Sequence, residues 1–496
     1  MIFGDKSGVL KYTLCMNKYI PSLEDGVLDK NEIQAVRDGR FSEAKAMLLD
    51  KAEKKPALHK DLVDRISLLD RIRQDYCLSE EQIFAGLKKE LPDITKEEMQ
   101  DWTRDGSLEA KMIDGEPRYF ERAIVNLFRL SPAAMARKKA VSGQGAAADP
   151  GDPERVFDMN GHMSRALEAA KLKGAGWHEA LNIYFELTLS LRPKSVPQGE
   201  VLRCWLPRPQ LGAQHSNYRL VSSGLPALGL AAPGPAKASA PGSTHASLYM
   251  EAPSNGPGEE LLVSIVQSFD TAAFVSMADP YKVEAYKPGS DQLESFLREE
   301  APHIVFSQAL RSLAAEITAS ETNPYLKAKR IFYWFNEKVT YTAAPEYSTI
   351  PAISEYCLAR RRGDCGIQSL LFIALCRASG IPARWQSGWT LAPGKINLHD
   401  WAMFYVEPYG WLHADPSRGL GASDDTDLRW FYFGNIDAYR MVVNEGYGAA
   451  LEPAKKHLRS ETVDFQRGEA EWNGGNLYFD EWDYRYKVAY REAVKV

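Results

Sequence analysis

Cysteine is scarce in this chain: six in 496 residues. That excludes a disulfide-framework protein, which needs dense and paired thiols. Long apolar runs are missing too. No stretch reaches the ~18 consecutive apolar residues of a membrane helix, so no membrane association is expected. The first residues carry Asp5 and Lys6 where a signal peptide needs an uninterrupted apolar region. The expected compartment is the cytoplasm, or an exported location if a natural signal peptide was removed. Positive charge is not in excess either. Lys plus Arg number 60 against 66 Asp plus Glu, a net charge of −6, and the pI is about 6.0. A general nucleic-acid binder needs clustered cations and is not expected. Walker and Rossmann glycine patterns and internal repeats are absent. Cys357, Cys365 and Cys376 lack the close Cys pairs of zinc sites, and His413 and His457 complete no motif. Asp424-Asp425-Thr426-Asp427 lacks the glycine and terminal glutamate of a calcium loop. Neither a metal nor a cofactor is expected.

What is present is an ordinary core composition, 45% apolar and 25% charged. The length suits about three domains. Residues 1–135 are read as a mainly helical domain. Helix formers are dense over 27–76, and Ser79 with Gln82 and Thr95 with Glu98 are capping boxes. Asp114-Gly115 suits a type I′ hairpin turn within 107–120, and Glu121–Leu130 returns to helix. Helix, helix, hairpin, helix resembles a winged helix in outline. Glu80–Arg129 holds eight Lys or Arg against twelve Asp or Glu, which favours a packing or protein-partner role over DNA binding. The stretch 131–153 is rich in Ala, Gly and Pro and reads as a linker, assigned to 136–155. Residues 156–290 read as an all-β sandwich after a helix near His162–Lys173. Its strands are expected at Ala180–Leu191, Glu200–Leu206, Ser247–Glu251 and Leu261–Phe269, with a loop over Pro226–Pro241. Residues 291–496 form the last domain. It opens with helices, including Pro324–Lys338, and ends in an aromatic-rich extension, Trp472–Tyr490, read as strands packing back onto the body. The fold class is α+β.

The informative stretch is Arg360–Gly419. Leu370, Leu371, Ala374, Leu375 and Ala378 recur at helical spacing, and Gly380 and Pro382 end the helix. Asp364 is a candidate N-cap, so Cys365 falls in the first turn, where the helix end favours a thiolate. Leu398–Glu407 and Trp411–Asp415 flank a Pro-Tyr-Gly turn and read as an antiparallel hairpin. His399 and Asp415 then lie at its outer ends. A cysteine nucleophile needs a base, and the base needs an orienting partner; Cys365, His399 and Asp415 supply those types. Asp400 is a competing orienter, but its side chain should point to the other face of the strand. A hairpin centred on Tyr409 would pair Asp415 with Met403, roughly 13 Å along the strand from His399. Closing that gap would take a bulge, strong twist or wider loop.

The segments Gly363-Asp-Cys-Gly, Ala374-Leu-Cys-Arg-Ala-Ser-Gly-Ile-Pro-Ala-Arg384, His399-Asp-Trp-Ala-Met-Phe-Tyr and Ala414-Asp-Pro-Ser resemble the transglutaminase-like superfamily of papain-fold enzymes. The resemblance is strongest over Arg360–Ser417 and extends upstream to about Asn323. Cys204-Trp-Leu-Pro-Arg-Pro resembles the sandwich that precedes this core in some bacterial relatives. The resemblance implies a papain-like core, a Cys-bearing helix on an antiparallel sheet. It implies Cys365 as nucleophile, His399 as general base and acid, and Asp415 as its orienter. The Cys365 N–H would form part of the oxyanion hole, with Tyr341 and Tyr347 as candidates for the second donor. Trp385, Trp389 and Trp401 are candidates to line an acyl cleft, a core role being equally open to each. The substrate implied is a peptide or protein amide. Attack on the acyl-enzyme by water makes a cysteine peptidase or amidase; attack by lysine makes a transglutaminase. A non-catalytic binding module on the same fold is the reading from another class.

Overall fold

The computed structural model describes residues 27–141, 157–224, 236–254, 261–286 and 291–493. The start of the chain, most of the expected linker and the first part of the Pro226–Pro241 loop lie outside them. The chain divides into two compact units: Met1–Pro153 with Thr340–Asp364, and Glu154–Val339 with Cys365–Val496.

The first unit is mainly helical. Helices span Lys30–Arg37, Phe41–Lys54, His59–Asp75, Glu80–Glu90 and Lys96–Arg104. Both expected capping boxes form: Ser79 and Thr95 accept from the N–H three residues on, and Gln82 and Glu98 reach back. The hairpin pairs Ala110–Ile113 with Glu116–Tyr119. Asp114 and Gly115 both take positive φ, as a type I′ turn requires. A helix over Ala123–Leu130 follows. Pro132–Val141 is also helical, although the Ala/Gly/Pro bias read as linker. Its local sequence is rich in Ala, Lys and Arg, strong helix formers, and Pro132 opens it where proline is tolerated.

Thr340–Asp364, expected within the last domain, groups with this N-terminal unit. Asn126 donates to the Ala343 carbonyl and accepts from its N–H. The buried Glu109 accepts from Arg360 at 2.8 Å and Arg362 at 3.1 Å. Burial works against its charge, but the two guanidiniums hold its carboxyl at about 2. Arg362–Gly363 pairs in parallel with Thr340–Tyr341.

The second unit opens with helix α1 (Met159–Lys173). Strands β1 (Gly176–Leu191), β2 (Val201–Pro207), β3 (His215–Gly224), β4 (Lys237–Ala238), β5 (Ser247–Pro253) and β6 (Leu261–Val275) follow. Next come α2 (Gln308–Thr318), α3 (Pro324–Lys338) and α4 (Cys365–Ala378). The remaining strands are β7 (Ala383–Ala392), β8 (Lys395–Val406), β9 (Gly410–Ala414), β10 (Phe433–Gly434), β11 (Arg440–Asn444), β12 (Glu469–Trp472), β13 (Gly475–Leu477) and β14 (Trp482–Glu492).

They form three sheets, ordered β13-β12-β2-β5-β4, β14-β1-β6-β3 and β10-β9-β8-β7-β11. The first two make the sandwich. The C-terminal extension supplies strands to both: β12 pairs with β2, and β14 pairs along the length of β1. β3 was not expected, because its sequence, HSNYRLVSSG, is polar and largely exposed; pairing with β6 makes it a strand. The sandwich core, including Phe185, Trp205, Val263 and Phe269, is continuous with Trp389, Leu391, Met441 and Val443 of the third sheet. α4 lies on the third sheet and against α3 through Phe372, which meets Phe332, Phe335 and Phe404. The α+β expectation holds.

Candidate active site

Cys365 is the first residue of α4 and is 8% exposed. The helix ends as its sequence indicates: Gly380 takes φ +79° and the Ile381 N–H reaches back to the Cys376 carbonyl. Cys357 and Cys376 are fully buried, and burial pushes both thiols up.

His399 lies on β8, a central strand. The β8–β9 hairpin pairs Ala402 with Ala414 and Val406 with Gly410. Its turn is therefore centred on Pro408, and the expected pairing of Asp415 with Met403 is corrected: Met403 faces His413. Asp415 follows β9 at the level of Trp401, about 7 Å along the strand from His399 and on the same face. Its side chain closes that diagonal. His399 Nε2 lies 2.6 Å from Asp415 Oδ2. The other ring nitrogen, Nδ1, carries no hydrogen bond among the described residues.

Asp415 is held from three sides. Arg440 donates to Oδ2 at 2.8 Å, and Ser417 Oγ and the Arg418 N–H donate to Oδ1. Arg440, fully buried on β11, also donates to Asp437 at 2.9 Å and sits 5.0 Å from the centre of the Trp401 ring. Burial penalises the Asp415 carboxylate, but His399 and Arg440 outweigh it and hold the carboxyl well below its usual range. Burial lowers the His399 imidazole below its ordinary value, Asp415 opposing and Arg440 reinforcing the shift. The resting pair is thus a carboxylate and a neutral imidazole.

Asp400, next along β8, points to the opposite face, which also carries Phe404 and meets α4. Its Oδ2 accepts from Cys365 Sγ at 3.3 Å. Its Oδ1 accepts from Gln466 Nε2 at 2.7 Å, and the same nitrogen donates to the His399 carbonyl at 3.0 Å. The Gln466 carbonyl accepts from Trp389 Nε1. Among the described residues, no hydrogen bond joins Cys365 to His399.

Trp401 packs beside His399 with ring centres 6.0 Å apart and donates to Gln386. Trp385 donates to Ser387 and meets Tyr447. Trp389 lies in the sandwich core against Phe185 and Tyr484. All three tryptophans are buried. Tyr341 and Tyr347 belong to the first unit, where Tyr341 faces Arg129 and the Tyr347 hydroxyl donates to Asp364. Sequence reasoning missed Arg440 and Gln466. Arg440 precedes Met-Val-Val and reads as the polar start of a strand. Gln466 stands 66 residues beyond Asp400, and no local signal marks it.

Residues 311–416 match the family model described as the transglutaminase-like superfamily. Over 132 residues the chain is 27% identical to the uncharacterized protein YebA of Bacillus subtilis (strain 168), covering 23% of this chain. The chain spans only 18% of that relative's length. Among solved structures, a candidate cysteine protease of Cytophaga hutchinsonii is similar at 16% identity and a TM-score of 0.41. That similarity covers 64% of this chain and 94% of that one. The periplasmic domain of TgpA from Pseudomonas aeruginosa is similar at 16% identity and a TM-score of 0.25, covering 50% of this chain and 90% of that one. The segment that matches the transglutaminase-like superfamily model, residues 311–416, includes Cys365, His399 and Asp415.

Proposed function

We propose that this protein is a thiol hydrolase of peptide or protein amides, with Cys365 as nucleophile, His399 as general base and acid, and Asp415 as the group that orients His399. The observation that supports this reading is the 2.6 Å bond between His399 Nε2 and Asp415. It fixes the imidazole by one nitrogen and leaves Nδ1 for the thiol proton.

In the proposed cycle the Cys365 sulfur attacks the amide carbonyl, and its proton passes to His399. The tetrahedral intermediate collapses, the C–N bond breaks, and the leaving amine takes the proton from His399. Water then attacks the thioester, giving its proton to His399, and the acid and the free thiol are released.

The test uses the full chain with fluorogenic peptide amides, in the presence and absence of a simple primary amine. Cys365→Ala is expected to abolish turnover with a nearly unchanged melting temperature. Retained turnover would remove Cys365 from the chemistry, and a large loss of stability would make it a core residue. Free acid is expected as the main product. Amide product dominating at modest amine concentration would identify a transferase. A protein that binds peptide without turnover would be a binding module.

A further inference from the structure

Arg440 Nη2 and His399 Nε2 converge on one oxygen, Asp415 Oδ2, at 2.8 Å and 2.6 Å. The far edge of the guanidinium belongs to Asp437, whose Oδ2 accepts from Arg440 Nε at 2.9 Å. Asp437 is 1% exposed and is itself held. The Tyr432 hydroxyl donates to its Oδ2 at 3.2 Å, and the Tyr439 N–H donates to its Oδ1 at 2.9 Å. The next residue, Ala438, donates its N–H to His162 Nε2 of α1 at 3.2 Å. The rings of Trp401 and Tyr432 lie 5.0 Å and 5.4 Å from the Arg440 guanidinium. His399, Asp415, Arg440 and Asp437 thus form a buried chain of base, acid, cation and acid.

We propose that Asp437 is a positioning residue for the base: it aims Arg440 at Asp415 and supplies, through Arg440, part of the counter-charge that an imidazolium at His399 needs. The proposal rests on the reading of His399 as general base. With a neutral imidazole the chain carries two carboxylates against one guanidinium, and a proton taken up by His399 balances it. Arg440 alone on Asp415 would draw that carboxylate away from the imidazole. Asp437 on the opposite edge offsets this. Burial opposes the Asp437 charge, but Arg440 outweighs it and holds the carboxyl below its usual range. The acid therefore stays ionised while the imidazole titrates. The other cation acting on His399 is Arg418, exposed beyond Asp415. Asp400 follows His399 on β8 and bonds Cys365. Near Asp437, burial keeps the Tyr432 hydroxyl protonated. His162 accepts a backbone N–H and so is neutral, with the Arg165–Glu179 pair beyond it. Burial takes His413 to about 3, so it too is neutral, with Arg384 nearby. Without the Asp437 charge the imidazolium loses support and forms only at lower pH.

The test is the titration midpoint of His399, read by NMR on the full chain labelled at histidine, its signal identified by its loss in His399→Asn. Cys365→Ala is carried throughout, so that the thiol does not titrate with the ring. Asp437→Asn keeps the shape and Asp437→Ser opens space; both remove the charge. Each is expected to lower the midpoint by about half a unit or more. Asp437→Glu keeps the charge and is expected to leave the midpoint in place. With Cys365 intact, Asp437→Asn is expected to lower kcat about threefold or more, with KM little changed. A midpoint that stays put or rises in Asp437→Asn overturns the proposal, and so does one that falls equally in Asp437→Glu. An unchanged kcat beside a shifted midpoint also overturns it. Failure of both charge-removing variants to fold does the same, by making Asp437 a core residue. Absence of turnover in the unaltered protein would fail the hydrolase reading, and the midpoint alone would then decide.

Discussion

His399 and Asp415 meet at 2.6 Å although they are diagonal, not direct, partners across the β8–β9 hairpin. A centre on Pro408 leaves them two residues apart on one face, a gap that two side chains span. A centre on Tyr409 would have left about four.

Asp415→Asn keeps the volume but removes the acceptor that fixes His399 and the counter-charge for an imidazolium. Turnover is expected to fall by about 10²–10⁴-fold, with KM little changed. A loss confined to KM would show that Asp415 shapes binding and not the base.

Arg440 neutralises two buried carboxylates, Asp415 and Asp437. Arg440→Met fills similar space but leaves both uncompensated. Denaturant unfolding should report a loss of about 3–5 kcal/mol. Arg440→Lys should rescue little, because one ammonium cannot reproduce the guanidinium fork. A near-neutral Arg440→Met would show that the two acids share a proton instead.

Gly388 sits directly opposite His399 in the β7–β8 pair, where β7 also meets β11. A Cβ there would land on the Met441 carbonyl oxygen and lie 2.9 Å from the Val443 nitrogen. Both are backbone atoms and cannot swing away. Gly388→Ala is expected to cost about 1–3 kcal/mol and to lower turnover by shifting β8. Unchanged melting would mean that the strands separate freely at this point.

Stability should fall in mild acid. Burial lowers His399, takes His215, His245 and His413 to about 3, and takes His303 to about 4. A histidine lowered on folding binds fewer protons in the native state than in the unfolded chain. Its contribution is complete above the unfolded value of ~6.5 and is lost as pH falls from there toward the folded value. Asp415, also lowered, adds its loss below ~3.9. The melting temperature should therefore drop steadily from pH 6.5 to pH 4. A flat profile across that range would contradict the burial of neutral imidazoles.

The sequence by itself determined the elements whose signals are local. The two capping boxes, the Asp114-Gly115 turn, the Pro324–Lys338 helix and the helix from Cys365 to Gly380 depend on residues a few positions apart. The spaced Cys, His and Asp motifs likewise carried the resemblance to the transglutaminase-like superfamily, whose model matches residues 311–416. Tertiary structure decided what depends on distant partners. β3 is a strand only because β6 pairs with it, and the last strand completes a sheet begun about 300 residues earlier, as Lys487 opposite Glu186 illustrates. The hairpin register turned on the length of the turn, which a one-residue misreading moves by two. The partners of the site, Arg440 behind Asp415 and Gln466 behind Asp400, were invisible because a buried hydrogen bond leaves no periodic trace in the chain. His399 and Asp400 are neighbours in sequence, yet the pleat of β8 sends one to Asp415 and the other to Cys365.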